Sequence, residues 1–229
     1  MQKFVLIAAG GTGKRTGSPL PKQFWPVMGK PILIYVFESF LKYSRDIHFV
    51  LALPEKHHDT WEKLCIEHGV ALKHKVVAGG PTRFHSVKNG LKSIPGGALV
   101  AIHDGVRPVV SLGLISSVFN YAQKFGNAIP VIPVNESVRQ IEHGLSQSLP
   151  RDQIRLVQTP QCFRTEIIKP AYNINYRDSF TDDATVLEHG GGRLFLVDGD
   201  PNNIKVTTTT DLVLAETLLK THQQRSYPE

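Results

Sequence analysis

The 229-residue sequence predicts an α/β fold, a mostly parallel twisted sheet with helices on both faces. Three observations carry that expectation. Short apolar runs recur along the chain, helix-period segments separate them from end to end, and no internal repeat or low-complexity linker interrupts the alternation.

The apolar runs fall at residues 4–8, 49–53, 75–78, 99–102 and 128–132, each with the length and continuity of a strand buried on both faces. After the first run, Pro31 follows Gly29-Lys30 where a helix is expected to begin, and Leu33, Val36, Phe37, Phe40 and Leu41 recur on one side of it. Further helices are expected over 55–68, from near Thr82 to Leu91, and over 210–219, the last opened by threonines able to cap it.

Over 134–158 the helical period vanishes. Segments 138–141 and 145–149 flank Glu142-His143-Gly144, and Gly144 suits the left-handed position of a three-residue hairpin turn. A lone two-stranded ribbon is marginal in water and needs a surface to lie on. Residues 134–157 are therefore expected either to grip a second subunit as an arm or to fold back on their own domain. The chain, 1–229, is expected to form one domain.

A hydrophobic content of 41% with 20% charged residues argues against disorder. No run reaches the ~18 apolar residues of a membrane span, and Met1-Gln2-Lys3 leads into a strand without a cleavage site. Cys65 and Cys162 are far apart, which indicates neither a disulfide framework nor a zinc site. A soluble protein of the reducing cytoplasm, with no membrane partner, is the expectation. The net charge of +6 comes from scattered cations without an aromatic-interleaved stripe, a pattern that suits a small anionic ligand better than nucleic acid.

The first strand empties into Ala8-Ala9-Gly10-Gly11-Thr12-Gly13-Lys14-Arg15, a loop whose bare backbone can close around phosphate oxygens. It is not a Walker A loop, because Ala8 stands where the first glycine belongs and Arg15 where the hydroxyl belongs. Nor is it a dinucleotide fingerprint, since Thr16 replaces the third glycine and Pro19 and Pro21 forbid a long helix directly after it. The prolines instead extend the chain from Arg15 to Lys22, so that two cations can flank one polyphosphate.

Ala9-Gly10-Gly11-Thr12-Gly13-Lys14-Arg15 followed by Leu20-Pro21-Lys22-Gln23 closely resembles the nucleotide-binding signature of the 2-C-methyl-D-erythritol 4-phosphate cytidylyltransferases and their ribitol-phosphate relatives. The likeness runs in register to the C-terminus through Gly79-Gly80, Arg83 and Ser86-Val87, then His103-Asp104-Gly105-Val106-Arg107-Pro108. It continues through Gln158-Thr159-Pro160-Gln161, Thr181-Asp182-Asp183-Ala184 and Asn203-Ile204-Lys205-Val206-Thr207. The resemblance implies a Rossmann-like nucleotidyltransferase fold with a protruding β-hairpin arm, and transfer of CMP from CTP to a sugar-alcohol phosphate with loss of pyrophosphate. Ser18-Pro19-Leu20-Pro21-Lys22-Gln23-Phe24 is shared with the ribitol 5-phosphate group, whereas Thr181-Asp182-Asp183-Ala184 looks more like the methylerythritol enzymes.

For such a reaction the expected work is positioning and charge stabilisation. By resemblance, Arg15, Lys22 and Lys205 form a catalytic charge clamp, and Ala9, Gly10, Gly11, Thr12, Gly13, Gly80, Arg83, Ser86, Asp104 and Gly105 complete the CTP site with Arg15 and Lys22. Asp104 is the expected ligand for Mg2+, its competing reading being a structural ion pair with Arg107. Arg107, Ser137, Arg151, Thr159, Thr181 and Lys205 are expected around the acceptor phosphate, with Arg151 reaching a neighbouring subunit's site in a homodimer. One position departs from the family: Pro81, where relatives are commonly acidic, has no N–H to offer the base. His103 is expected to be packed and hydrogen-bonded rather than a base, since a phosphate nucleophile is already ionised. The His57-His58 pair lacks a third ligand and reads as surface.

Overall fold

The computed structural model describes residues 1–10 and 20–225, with side chains through residue 221. In chain order, strand β1 (Lys3–Ala8) leads to a small ribbon, β2 (Pro26–Val27) and β3 (Lys30–Pro31), and then to helix α1 (Ile32–Tyr43). Next come β4 (His48–Leu53), α2 (His58–Glu67), β5 (His74–Ala78), α3 (Arg83–Leu91), β6 (Leu99–Asp104), α4 (Leu112–Phe125) and β7 (Asn127–Pro133). A hairpin of β8 (Val138–Glu142) and β9 (Leu145–Leu149) follows, then β10 (Arg155–Val157), β11 (Gln161–Arg164), α5 (Thr165–Ala171), α6 (Asp183–His189), β12 (Leu196–Asp198) and α7 (Thr209–Arg225).

The main sheet runs β10-β7-β11-β6-β1-β4-β5, with β12 also on β7. Strands β6, β1, β4 and β5 pair in parallel, and β11 enters antiparallel between β6 and β7. Side-chain alternation splits the sheet into two apolar faces. Val5, Ile7, Leu51 and Ala101 pack with α1, α2 and α4, while Leu6, Ala52, Val100 and Ile102 pack with α3, α5 and α6. Helix α7 lies apart, its Ala215 and Leu219 packed against Trp25, Val27 and Ile32.

All five expected strands are present, and β6 runs on to make Asp104 its last residue. Helix α2 is preceded by a 3-10 turn over Glu55–His57, and α7 extends past residue 219 to Arg225. Thr208 and Asp211 open α7 as a capping box: the Asp211 amide donates to Thr208 Oγ1 at 3.2 Å and the Thr208 amide to Asp211 Oδ2 at 2.8 Å.

Two expectations need correcting. The hairpin turn has two residues rather than three, because Glu142 pairs with Leu145 and both His143 (φ 49) and Gly144 (φ 80) take left-handed conformations. That is the pair of positive φ values a type I′ turn requires, and it matches the strands' own twist. Nor are His57 and His58 both free on the surface. They are half-buried, His57 meeting the Phe24 ring edge-on and His58 Nε2 lying 2.8 Å from the Leu53 carbonyl oxygen.

The β8–β9 hairpin forms a sheet of its own, and β8 and β9 are exposed along nearly their whole length, so it does not fold back on its own body. Among the described residues, no helix is long and apolar enough to cross a membrane.

Candidate active site

Chain direction reverses across the sheet at β1: the connection through α1 carries the chain to β4 on one side, and α3 brings it back to β6 on the other. A crevice opens at such a point, beyond the carboxyl ends of the strands. Ala8 lies opposite Asp104 in the β1–β6 register, so the glycine loop and the His103–Pro108 turn leave the sheet side by side. The Gly105 amide donates to the Ala8 carbonyl at 3.0 Å, and a Cβ on Gly105 would lie within 3.3 Å of side-chain carbons of Ala9, Leu33 and Ile7, which would have to give way.

Asp104 is the centre of the charges there. Its Oδ1 accepts from Arg83 Nε at 3.0 Å, and its Oδ2 lies 2.9 Å from Lys205 Nζ and 3.6 Å from Arg107 Nε. Burial alone would raise this carboxyl, which is 6% exposed, but the three cations outweigh it and hold it far below the usual carboxylate range. Burial brings the Arg107 guanidinium down, with Asp104 opposing, while Arg83 is driven up by Asp183 and Asp104 against its own desolvation. The structural reading of Asp104 as a partner of Arg107 alone is therefore too narrow.

The cations are anchored by the backbone. Residues 204–207 run beside the turn after β6, the Val206 amide donating to the Val106 carbonyl at 2.9 Å, and this sets Lys205 over Asp104. Lys22 Nζ donates to the carbonyl of Thr207, two residues beyond Lys205, so both lysines serve one side of the molecule. Gln23 ties the Lys22–Phe24 turn to the end of β1 through Nε2 and the Ala9 carbonyl at 2.8 Å. Four cations against the carboxylates of Asp104 and Asp183 leave the strand ends positive.

Beside this cluster, Ser86 is fully buried between two glycines. It accepts from the Gly80 amide at 3.0 Å and donates to the Thr82 carbonyl at 3.0 Å, and a Cβ on Gly10 would reach its Oγ at 2.8 Å. Thr82 caps α3, fixing Ser86 and Arg83 on its first turn. On the other side, His103 Nε2 donates to the Arg107 carbonyl at 3.1 Å, which leaves Nδ1 to accept from Thr159 Oγ1 at 3.1 Å. Thr159 Oγ1 in turn accepts the Asp104 amide at 3.1 Å. Burial pushes His103 down to about 4, so the ring is neutral at pH 7 with both nitrogens occupied.

A family model described as 2-C-methyl-D-erythritol 4-phosphate cytidylyltransferase matches residues 3–221. The chain belongs to this family. Enzymes with that name are 46% identical in Phocaeicola vulgatus, over 96% of this chain and all of the relative, and 44% identical in Porphyromonas gingivalis, over 95% and 98%. The family's enzyme from Thermus thermophilus superimposes with a TM-score of 0.73 at 31% identity, covering 94% of this chain and 98% of that one. A 4-diphosphocytidyl-2C-methyl-D-erythritol synthase from Anaerococcus prevotii gives 0.80 at 25%, covering 95% and 96%.

Of the residues expected from the family pattern, Ala9, Gly10, Lys22, Gly80, Arg83, Ser86, Asp104, Gly105, Arg107, Thr159 and Lys205 gather at the carboxyl ends of β1 and β6. Gly11, Thr12, Gly13 and Arg15 lie outside the described residues. Thr181 is exposed on the loop before α6, while Ser137 and Arg151 are exposed at the base of the hairpin, where Arg151 Nη1 donates to the Asn135 carbonyl at 2.8 Å. Sequence reasoning missed Asn203, whose amide group donates to the Thr159 carbonyl at 2.7 Å and whose own carbonyl accepts from Arg107 Nη1 at 2.7 Å. It also assigned no role to Asp183, although both residues stood inside recognised blocks.

Proposed function

We propose that this chain transfers CMP from CTP to 2-C-methyl-D-erythritol 4-phosphate, giving 4-diphosphocytidyl-2-C-methyl-D-erythritol and pyrophosphate, in the non-mevalonate route to isoprenoid precursors. Family membership supports the reaction, and the observation that carries its placement is the convergence of Arg83, Arg107, Lys205 and Lys22 on the ends of β1 and β6. Cations held by carboxylates and carbonyls can pass to phosphate oxygens without having to be assembled when the ligand arrives.

In this reading the chain from residue 1 to 229 works as one nucleotidyltransferase domain with residues 134–157 as its arm. The triphosphate lies over Ala9, Gly10 and the loop through Gly13, with Arg15 and Lys22 along it, and the base meets Gly80 and Ser86. Lys205, Arg107 and Thr181 face the acceptor phosphate, whose oxygen attacks the α-phosphorus opposite the departing pyrophosphate, while Thr159, expected there as well, is buried with its hydroxyl shared between His103 and the Asp104 amide and supports the site from behind. No residue need remove a proton. His103, buried and neutral, is placed to hold the turn rather than to act as a base.

Among the described residues, no group of three or more His, Cys, Asp and Glu side chains could hold a metal ion alone. Mg2+ ordinarily takes one or two carboxylates and completes its shell with phosphate oxygens and waters. Asp104 fits that habit, because Lys205, with a side chain 45% exposed, can leave Oδ2 for a phosphate. When bound, the ion would neutralise charge developing on the phosphates.

The arm supports a homodimer in which Ser137 and Arg151 complete the partner's site. Ile141 and Leu145 are 67% and 77% exposed, an apolar display that a partner surface would cover. Two free thiols, Cys162 buried and Cys65 half-buried, suit the reducing cytoplasm.

The test is pyrophosphate release from CTP with magnesium, offered 2-C-methyl-D-erythritol 4-phosphate or ribitol 5-phosphate. Turnover with the methylerythritol acceptor is expected; turnover with ribitol 5-phosphate alone would replace the acceptor, and none with either would remove the activity.

A further inference from the structure

Asp183, the first residue of α6, is completely buried, and a carboxylate taken out of water is costly unless several donors meet it. Three do, from two distant parts of the chain. Arg83 donates from Nη1 to Oδ1 at 2.8 Å and from Nη2 to Oδ2 at 2.7 Å, and the Tyr172 hydroxyl donates to Oδ1 at 2.5 Å. The Tyr172 ring stacks on Phe84 at 4.8 Å between centroids, and burial and Asp183 raise its hydroxyl well above the ordinary tyrosine value, so the donor keeps its proton.

A guanidinium is planar, and fixing both terminal nitrogens also fixes the direction of Nε. In Arg83 that Nε points at Asp104 Oδ1, 3.0 Å away. Arg83 is thus a rigid bar between two carboxylates: Asp183, fully buried and bidentate, and Asp104 at the end of β6. Because Oδ1 of Asp104 is held by the bar, Oδ2 is left to Lys205 at 2.9 Å, with Arg107 Nε farther off at 3.6 Å.

We infer that Asp183, backed by the Tyr172 hydroxyl, is a positioning residue for the transfer reaction, acting through Arg83 to hold Asp104 in the pose that presents Oδ2 to Lys205, and so to set the ammonium that meets the incoming phosphates. The claim rests on the reaction proposed above and adds to it a residue that touches no substrate. With Asp183→Asn, one Arg83 nitrogen faces an NH2 group instead of an oxygen. The guanidinium then turns toward Asp104, takes both of its oxygens and competes with Lys205.

The experiment compares Asp183→Asn, Asp104→Asn, the double variant and Tyr172→Phe in the full chain, following pyrophosphate release from CTP and 2-C-methyl-D-erythritol 4-phosphate, with thermal melting as the check on folding. Asp183→Asn is expected to lower kcat by about 10- to 100-fold, as loss of an outer partner does at other charged sites, with the KM for CTP changed much less. The double variant should be no slower than Asp104→Asn alone, since both act through one carboxylate. Wild-type kcat in folded Asp183→Asn, or losses that multiply in the double variant, would overturn the inference. Should Asp183→Asn not fold, Tyr172→Phe keeps the ring and removes one donor; a several-fold fall in kcat supports the inference and an unchanged kcat overturns it. If the wild-type protein gives no pyrophosphate, the reaction falls instead, and the crystal structure of Asp183→Asn or Tyr172→Phe decides the positioning claim: Arg83 displaced from its Nε bond to Asp104 sustains it, and an unmoved Arg83 ends it.

Discussion

The strand ends around Asp104 and the hairpin from Val138 to Leu149 are built on opposite principles. At Asp104 the polar groups find their partners within the same chain, Arg107 Nε and Asn203 Oδ1 excepted, and the segments that supply them are as far apart in sequence as Arg83 and Lys205. On the hairpin the partners are local, the two strands pair only with each other, and apolar side chains face water. The described cations Arg83, Arg107, Lys205 and Lys22 are held within one chain, whereas Ser137 and Arg151 are exposed at the base of the hairpin and, in the proposed dimer, act on another molecule.

That contrast is open to attack from either side, and the severest blow falls on the cluster. Lys22→Ala and Asp104→Asn should each lower turnover by about 10²-fold or more while the melting transition stays cooperative. Near-wild-type rates in either would take that residue out of the mechanism. Next comes the pH dependence of stability, which belongs to the cluster and not to the hairpin. His103 is held near 4 when folded and returns to about 6.5 when unfolded, so as pH falls from 6.5 to 4 the unfolded chain takes up a proton that the folded one refuses. Urea unfolding should show a stability loss of roughly 3 kcal/mol across that window, absent in His103→Gln. The charged neighbours Asp104, Arg107 and Arg83 do not reverse the sign. Asp104, depressed in the folded state, contributes fully above its unfolded value near 3.9 and is lost only below it.

On the hairpin, Ile141→Asp should weaken self-association by about 2 kcal/mol, seen as a shift toward monomer in sedimentation at micromolar concentration. A monomeric wild type would end the dimer reading. The smallest effect is expected from Arg151→Ala: about a tenfold rise in the KM for the acceptor, with the KM for CTP unmoved. Mixing this variant with Lys22→Ala should restore part of the activity if the arm serves the partner's site, and none if each chain serves its own.

How much of this was legible beforehand depends on whether the determinant is local. The parallel strands announce themselves because burial on both faces demands unbroken apolar runs. The hairpin shows in the lost helical period, but nothing in the sequence around Glu142 says whether it belongs to the turn or, as the structure has it, pairs with Leu145. Helix α4 carries a full local signal that a reading centred on strands passes over. Leu114, Ile115, Val118, Phe119 and Ala122 recur at helical spacing, Ser111 caps the start, and Gly126 closes the end with φ 96. Strand β11 carries no signal of its own: its four residues, beginning at the last glutamine of the 158–161 block and running against their neighbours, owe their conformation to β6 and β7. The candidate site divides in the same way. Lys22, Asp104 and Lys205 are reached through their motifs, but the meeting of Arg83 and Lys205 on Asp104 and the pairing of Arg83 with Asp183 arise from contacts between distant segments, about 100 residues apart for Arg83 and Asp183, which no local spacing encodes.

The insertion of β11 between β6 and β7 also orders the birth of the molecule. Strand β7 is synthesised first, yet its place on β6 is kept by a segment some 30 residues later in the chain, so a nascent polypeptide carries β6 with one flank unsatisfied until residue 164 has emerged. Chains halted between Pro133 and Gln161 should therefore clump on ribosome release more readily than those halted after Ala171, in which β11 has closed that flank.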